Sequence, residues 1–138
     1  MQNQSDFKIL SLSGGGYRGL YTAEVLKELE NHLKAKNTND CIANYFNLIT
    51  GTSIGGIIAL ALAYEIPAEK IAKIFDDKGE EIFKKQSCIG MFKAKYNSDI
   101  LKNILVDWFG DALIGDLKHP VVIPAVDYTT GNPVAFKT

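Results

Sequence analysis

The chain has 138 residues, of which 46% are hydrophobic and 22% charged, and its formal net charge is -1. This length and composition are typical of one globular domain or most of one. The 15 basic and 16 acidic residues form no block of like charge, which argues against a nucleic-acid-binding protein. The two cysteines, Cys41 and Cys88, lack metal-ligand spacing and indicate reduced thiols in an intracellular protein.

Neither the N-terminus nor the most apolar stretch has the character of a membrane-targeting segment. Residues 1–6 are polar and lack the basic region that begins a signal peptide. Residues 54–64 reach only about half the length that crosses a bilayer, so we expect a buried core helix there. The sequence therefore predicts a cytoplasmic protein without a transmembrane segment, and it leaves peripheral contact with a membrane surface open.

Hydrophobic periodicity in the first half of the chain predicts alternating strands and helices. Residues 7–13 alternate and end on three glycines, which predicts a strand followed by a tight loop. From Arg18 apolar residues recur every three or four positions, which predicts an amphipathic helix that frays near residues 36–39. Residues 45–50 predict a second strand, which leads through another glycine-rich turn into the apolar helix.

The pattern continues in the second half with two helices. Pro67 suits the first turn of a third helix, which Gly79 is expected to interrupt. Asn97 or Ser98 is expected to cap a fourth helix that ends just before Gly110.

The end of the chain returns to strand character. Residues 120–126 predict a third strand, and residues 129–132 predict a turn into a last apolar segment at 133–136. Alternating strands and helices predict an α/β sandwich with a largely parallel sheet. The near-continuous apolar strand after Pro120 predicts a sheet covered on both faces.

The second glycine turn has the pattern G-x-S-x-G around Ser53. An apolar strand precedes it and an apolar helix follows, which is the context of a nucleophile elbow. The residues two before and two after the serine approach each other in such a turn, and Gly51 and Gly55 occupy these positions. The alternative is that Ser53 only caps the helix, because serine is a favoured capping residue.

The first glycine turn, Gly14-Gly15-Gly16, follows the first strand and opens the first helix. Consecutive glycines allow unusual backbone dihedrals and present bare N–H groups to a ligand. Such a loop forms either a phosphate cradle or an oxyanion hole, unless it is only a tight turn. It lacks the lysine of the phosphate-binding loop G-x-x-x-x-G-K-[ST].

Because both glycine turns follow parallel strands, we expect them at the same edge of the sheet. A nucleophile beside N–H donors at that edge makes an acyl-transfer site.

At these residues the sequence resembles the patatin-like phospholipase family. The family's G-G-G-x-R-G is present at residues 14–19 and its G-T-S-x-G-G at residues 51–56. The segment at 120–127, followed by Gly131-Asn132-Pro133 and Phe136-Lys137, is similar to the region after the elbow in bacterial members. The resemblance extends from Lys8 to Lys137.

The resemblance implies hydrolysis of membrane phospholipid or another acyl lipid by a Ser–Asp dyad in a three-layer α/β sandwich, without cofactor or metal. Ser53 corresponds to the nucleophile, and Arg18 to the family's basic position, which steadies the loop or faces a lipid head group. The N–H groups of Gly14, Gly15 and Gly16 correspond to the oxyanion hole. The residues that support the elbow are Gly51, Gly55 and Gly56.

The dyad aspartate of the family lies in an Asp-Gly motif, and this chain contains no Asp-Gly pair. Asp111, Asp116 and Asp127 follow Ser53 without a following glycine, and Asp127 is expected to be a turn residue. His32 and His119 are not placed to act on Ser53. We therefore expect residues 1–138 to be the N-terminal portion of a single patatin-like domain and to have little esterase activity alone.

Three other functions are compatible with these motifs. A catalytically dead lipid-binding or regulatory module retains the fold without turnover. An acyltransferase uses the same elbow to pass the acyl group to an acceptor other than water. A nucleotide-binding loop would bind phosphate at Gly14–Gly16 independently of Ser53. The sequence does not indicate the oligomeric state.

Overall fold

The sheet is built from four strands, three of them parallel, in a computed structural model that describes residues 6–37, 40–83 and 98–138. The strands are β1 (Ile9–Leu12), β2 (Leu48–Gly51), β3 (Val121–Val126) and β4 (Pro133–Lys137). The helices are α1 (Gly19–Lys34), α2 (Ile54–Ala63), α3 (Ala68–Phe83) and α4 (Ser98–Phe109). Short 3-10 turns lie at Gly16–Arg18, Ile42–Tyr45 and Ile114–Asp116.

The strand order is β1-β2-β3-β4, in which β1, β2 and β3 run parallel and β4 pairs antiparallel with β3. In the register of β1 with β2, Leu12 lies opposite Gly51, so the two strands end together. Both glycine turns therefore leave the same edge of the sheet, as predicted. The predicted α/β fold with a mostly parallel sheet is confirmed.

Helix α2 packs against all three parallel strands, and α1 packs against α3. Each of the strands β1, β2 and β3 lies next to the one before it, always on the same side. Connections of the same hand between such strands place their helices on one face of the sheet. That face contributes Leu12, Ile49 and Val121 to the core. On the opposite face Pro124 is exposed and Val126 retains 59% of its accessible surface, so the described residues do not supply the cover predicted there.

Helix α3 departs from the expectations at Gly79 and at its first residue, whereas α4 ends as expected. Gly79 does not interrupt α3 but leaves room for the Tyr17 ring, since a Cβ atom at Gly79 would lie 2.7 Å from Tyr17 Cε2. Helix α3 begins at Ala68, one residue after Pro67. Gly110 has φ 53° just past the end of α4, as predicted, whereas Asn97 lies outside the described residues.

None of the described helices combines the length and apolar character needed to cross a bilayer.

The packing of α1 on α3 encloses one charged group, Glu30, whose side chain is 2% exposed. Its Oε2 accepts hydrogen bonds from Lys34 Nζ at 2.8 Å and from the Ala68 backbone N–H at 3.1 Å. Ala68 is the first residue of α3, so the carboxylate lies at the positive end of that helix dipole. Glu30 thus satisfies an N–H group that has no acceptor within its own helix.

We expect Glu30→Ala to lower the free energy of unfolding by about 1–3 kcal/mol, because the buried Ala68 N–H loses its acceptor. The matched control is Glu28→Ala on the exposed side of the same helix, with an expected change within about 0.5 kcal/mol. Urea denaturation of the two variants and the wild type measures both values. Equal effects of the two substitutions would contradict a capping role for Glu30.

Candidate active site

Ser53 lies on a strained turn between β2 and α2, with φ 54° and ψ -127°. This combination of a positive φ with a negative ψ is uncommon for a residue other than glycine and persists only where the surroundings impose it. The surroundings here are backbone contacts: a Cβ at Gly51 would lie 2.2 Å from the Gly55 carbonyl oxygen. A Cβ at Gly55 would lie 2.3 Å from the Leu12 carbonyl oxygen. The need for glycine on either side of the serine is therefore steric.

The Ser53 side chain is exposed, and within the described residues its hydroxyl makes no capping hydrogen bond to α2. The first turn of the helix is held by backbone groups instead, with Gly56 N–H donating to the Ser53 carbonyl at 2.9 Å. The interpretation of Ser53 as a helix cap is therefore wrong for its side chain. The Gly55 N–H likewise donates to the Thr52 carbonyl at 3.0 Å, so the first turn of α2 does not use the Ser53 hydroxyl.

The glycine loop lies directly against this turn. A Cβ at Gly14 would lie 2.9 Å from Ser53 Cβ and 2.7 Å from the Thr52 carbonyl oxygen. The Gly14 N–H donates to Thr52 Oγ1 at 3.2 Å. Thr52 N–H in turn donates to the Leu12 carbonyl at 3.1 Å, which ties the end of β1 to the elbow.

These contacts assign Thr52 a positioning role that the glycine pattern alone did not suggest. Its hydroxyl accepts the hydrogen bond of the Gly14 N–H and so holds the glycine loop against the elbow. The sequence feature that could have indicated this role is the threonine itself. A hydroxyl immediately before the elbow serine is able to accept a hydrogen bond from the neighbouring loop.

Gly15 and Gly16 adopt φ values of 144° and 60°, which favour glycine. Arg18 folds back over this segment, with Nε 3.3 Å from the position that a Cβ at Gly15 would occupy. This contact supports the loop-steadying interpretation of Arg18. Gly56 completes the elbow, since a Cβ there would lie 3.1 Å from the Gly51 carbonyl oxygen and 3.2 Å from Ile123 Cγ2.

An apolar cavity of about 240 Å³ is lined by one residue of α2, by the segment that runs from the end of α4 to Leu117, and by strands β3 and β4. Ile123, which contacts Gly56 near the elbow, also lines this cavity. The other lining residues are Leu60, Phe109, Ala112, Leu113, Ile114, Leu117 and Phe136. The wall of the cavity is therefore almost wholly hydrocarbon.

The carboxylates of Asp116 and Asp127 have partners other than Ser53. Asp127 accepts hydrogen bonds from the Thr129 N–H and the Thr130 hydroxyl, both at 2.8 Å. These bonds hold the pKa of Asp127 below its ordinary value, because they stabilise the carboxylate. Its predicted role as a turn residue is confirmed. Asp116 Oδ2 accepts from the Leu113 N–H at 2.7 Å, and Asp111 is exposed in the loop after α4.

The two histidines also lie away from the elbow. His32 is exposed on α1, with Nδ1 2.9 Å from the Glu28 carbonyl oxygen. His119 precedes β3, at the edge of the sheet opposite Ser53, where its Nε2 lies 3.4 Å from Glu65 Oε1. None of the hydrogen bonds that the aspartates and histidines form within the described ranges involves Ser53.

Comparison with known proteins matches residues 10–138 to the family model for patatin-like phospholipase. Similar curated proteins include three cGAMP-activated phospholipases: that of Pseudomonas aeruginosa is 48% identical, that of Escherichia coli 42% and that of Vibrio cholerae 37%. The matches cover 96%, 95% and 98% of this chain, and 40%, 39% and 42% of the respective relatives. The chain thus spans about two fifths of the length of these relatives.

Proposed function

Because the chain belongs to the patatin-like phospholipase family, we propose that the protein hydrolyses carboxylic esters of acyl lipids with Ser53 as the nucleophile. The observation that carries the proposal is the exposed Ser53 side chain on its strained turn, in contact range of the Gly14 backbone. A strained serine between a strand and a helix, beside a second glycine turn, is the arrangement that acyl transfer requires.

In the proposed reaction the Ser53 hydroxyl attacks the ester carbonyl carbon and gives its proton to a general base. The carbonyl oxygen becomes an oxyanion, which accepts hydrogen bonds from the N–H groups of Gly14, Gly15 and Gly16. Gly14 exchanges the Thr52 hydroxyl for this oxyanion, so its new bond forms only as charge develops. Collapse of the intermediate breaks the ester C–O bond, and the leaving oxygen takes the proton back from the base and departs as the alcohol. Water, which gives a proton to the same base, then hydrolyses the acyl-serine and regenerates the Ser53 hydroxyl.

We place part of the acyl chain in the apolar cavity beside α2. The cavity shares Ile123 with the elbow, and its lining residues are apolar, which suits a hydrocarbon chain and no charged group.

A phospholipid substrate also requires the elbow edge of the sheet to approach a membrane surface. We therefore propose peripheral contact at that edge, beside the exposed Tyr17 and Arg18.

The general base is the part of the proposal that these residues do not supply. The 138 residues contain no Asp-Gly pair, and Asp116 and Asp127 have other partners. We propose that the dyad aspartate lies outside residues 1–138, within the same domain. A serine hydroxyl without such a base is a weak nucleophile at neutral pH.

We therefore expect the polypeptide of residues 1–138 alone to hydrolyse a 4-nitrophenyl acyl ester at least about 10³-fold more slowly than the Pseudomonas aeruginosa relative, with cGAMP present in both assays. Circular dichroism establishes that the polypeptide is folded under the assay conditions. Turnover comparable to that of the relative, and lost in Ser53→Ala, would show that a base within these residues activates the serine.

The names of the three relatives describe activation by cGAMP. We extend this regulation to the present protein as a proposal, on the basis of 48% identity over 96% of the chain. Hydrolysis of phospholipid vesicles by the product of the complete reading frame, with and without cGAMP, tests it. Free fatty acid released only in the presence of cGAMP is the expected result, and equal release in both samples would contradict it.

A further inference from the structure

Three side chains of metal-binding type meet at the edge of the sheet opposite Ser53. Cys41 precedes the turn that leads into β2, Glu65 follows the end of α2, and His119 precedes β3. Their ligand atoms all lie within 4.8 Å of one another. The Lys118 N–H donates to the Ala63 carbonyl at 3.0 Å, which holds the end of α2 against the start of β3. The backbone thus fixes the places from which Glu65 and His119 reach toward Cys41.

The carboxylate of Glu65 has one oxygen engaged and one directed at this cluster. Its Oε2 accepts from Lys118 Nζ at 2.5 Å, whereas Oε1 lies 3.4 Å from His119 Nε2. A tetrahedral zinc ion with metal–ligand distances of about 2.0–2.2 Å separates a nitrogen and an oxygen ligand by about 3.4 Å. The distance between these two atoms therefore matches that between two ligands of one cation, and it is longer than the usual hydrogen-bond distance of about 2.7–3.2 Å.

The chemistry of the three groups favours a particular class of ion. One sulfur, one imidazole nitrogen and one carboxylate oxygen form the mixed donor set that zinc and related borderline divalent cations accept. Magnesium and calcium prefer oxygen donors alone. Cys41 and His119 are partly buried, with the His119 side chain 14% exposed, so two ligands are already held among packed residues.

We propose that Cys41, Glu65 and His119 bind one divalent cation of the zinc class, with a water molecule as the fourth ligand. The ion joins the chain segments before β2, after α2 and before β3 at the sheet edge away from the nucleophile. Lys118 remains on Glu65 Oε2 and directs Oε1 to the metal. The site is independent of the proposed ester hydrolysis, since none of its ligands contacts the elbow in the described residues.

The test is titration of the reduced, chelator-treated protein with Co²⁺ followed by Zn²⁺. We expect one equivalent of Co²⁺ to produce the near-ultraviolet thiolate charge-transfer band, and Zn²⁺ to displace it. Cys41→Ser should abolish the band. Glu65→Gln and His119→Gln should weaken binding at least about tenfold, the loss typical even of groups that only support a ligand.

Two control variants and one further measurement separate this site from general metal adsorption. His32→Gln removes a histidine that is exposed elsewhere, and Cys88→Ser removes the other cysteine; both should retain one equivalent of metal. Bound Zn²⁺ should also protect Cys41 of the wild-type protein from alkylation by iodoacetamide, which requires no variant to fold. Absence of the band, its survival in Cys41→Ser, or its loss in Cys88→Ser would overturn the proposal.

Discussion

Ser53→Ala is expected to lower kcat for ester hydrolysis at least about 10⁴-fold, because no other group forms the acyl intermediate. The substitution removes one oxygen atom from an exposed side chain and leaves the glycine contacts that impose the turn unchanged. The thermal midpoint should therefore stay close to that of the wild type. Release of fatty acid from phospholipid vesicles measures the effect on the product of the complete reading frame.

The matched control for this variant is Ser11→Ala, which removes a hydroxyl from an exposed position in β1. We expect it to retain wild-type turnover. If Ser53→Ala kept even a tenth of the wild-type activity, the assignment of the nucleophile would be wrong.

Gly14→Ala is expected to lower kcat about 10²–10³-fold, the loss typical of removing one oxyanion-hole donor. The added methyl group would lie 2.9 Å from Ser53 Cβ and 2.7 Å from the Thr52 carbonyl oxygen, so the loop must move away from the serine. Gly14 does not have a positive φ, so alanine is compatible with its backbone conformation and the effect is steric. We expect KM to change little, because the N–H groups act on the oxyanion and not on the bound ester.

Gly115→Ala is the control for Gly14→Ala. Gly115 also lacks a positive φ, and no atom lies within 4 Å of the position where its Cβ would be added. It should retain wild-type kcat. A large rise in KM with unchanged kcat in Gly14→Ala would contradict an oxyanion role and indicate a role in ground-state binding.

Local sequence predicted the elbow because its requirements are local. Gly51 and Gly55 contact each other across four residues, and the positive φ of Ser53 follows from that approach. The pairing of the two glycine turns was predictable for a related reason, since consecutive parallel strands expose their carboxyl ends at one edge. The register of Leu12 with Gly51 confirms that placement.

Features that depend on distant partners were not predictable in the same way. Gly79 resembles a helix breaker until the Tyr17 ring is placed against it, which requires the fold of two separate segments. Cys41 shows no ligand spacing because Glu65 and His119 approach it only after β2, α2 and β3 have packed. The apolar sequence of β3 predicts that both faces of the strand favour burial. It does not indicate which segment covers Val126.

Covalent labelling with a fluorophosphonate tests the central claim most directly, since these reagents capture a serine activated for acyl transfer. The product of the complete reading frame is treated until lipid hydrolysis stops, and the modified residue is located by peptide mass spectrometry. We predict one adduct per chain, on Ser53, with loss of activity in proportion to labelling. An adduct on another residue, or full hydrolysis by protein whose Ser53 is fully modified, would contradict the account.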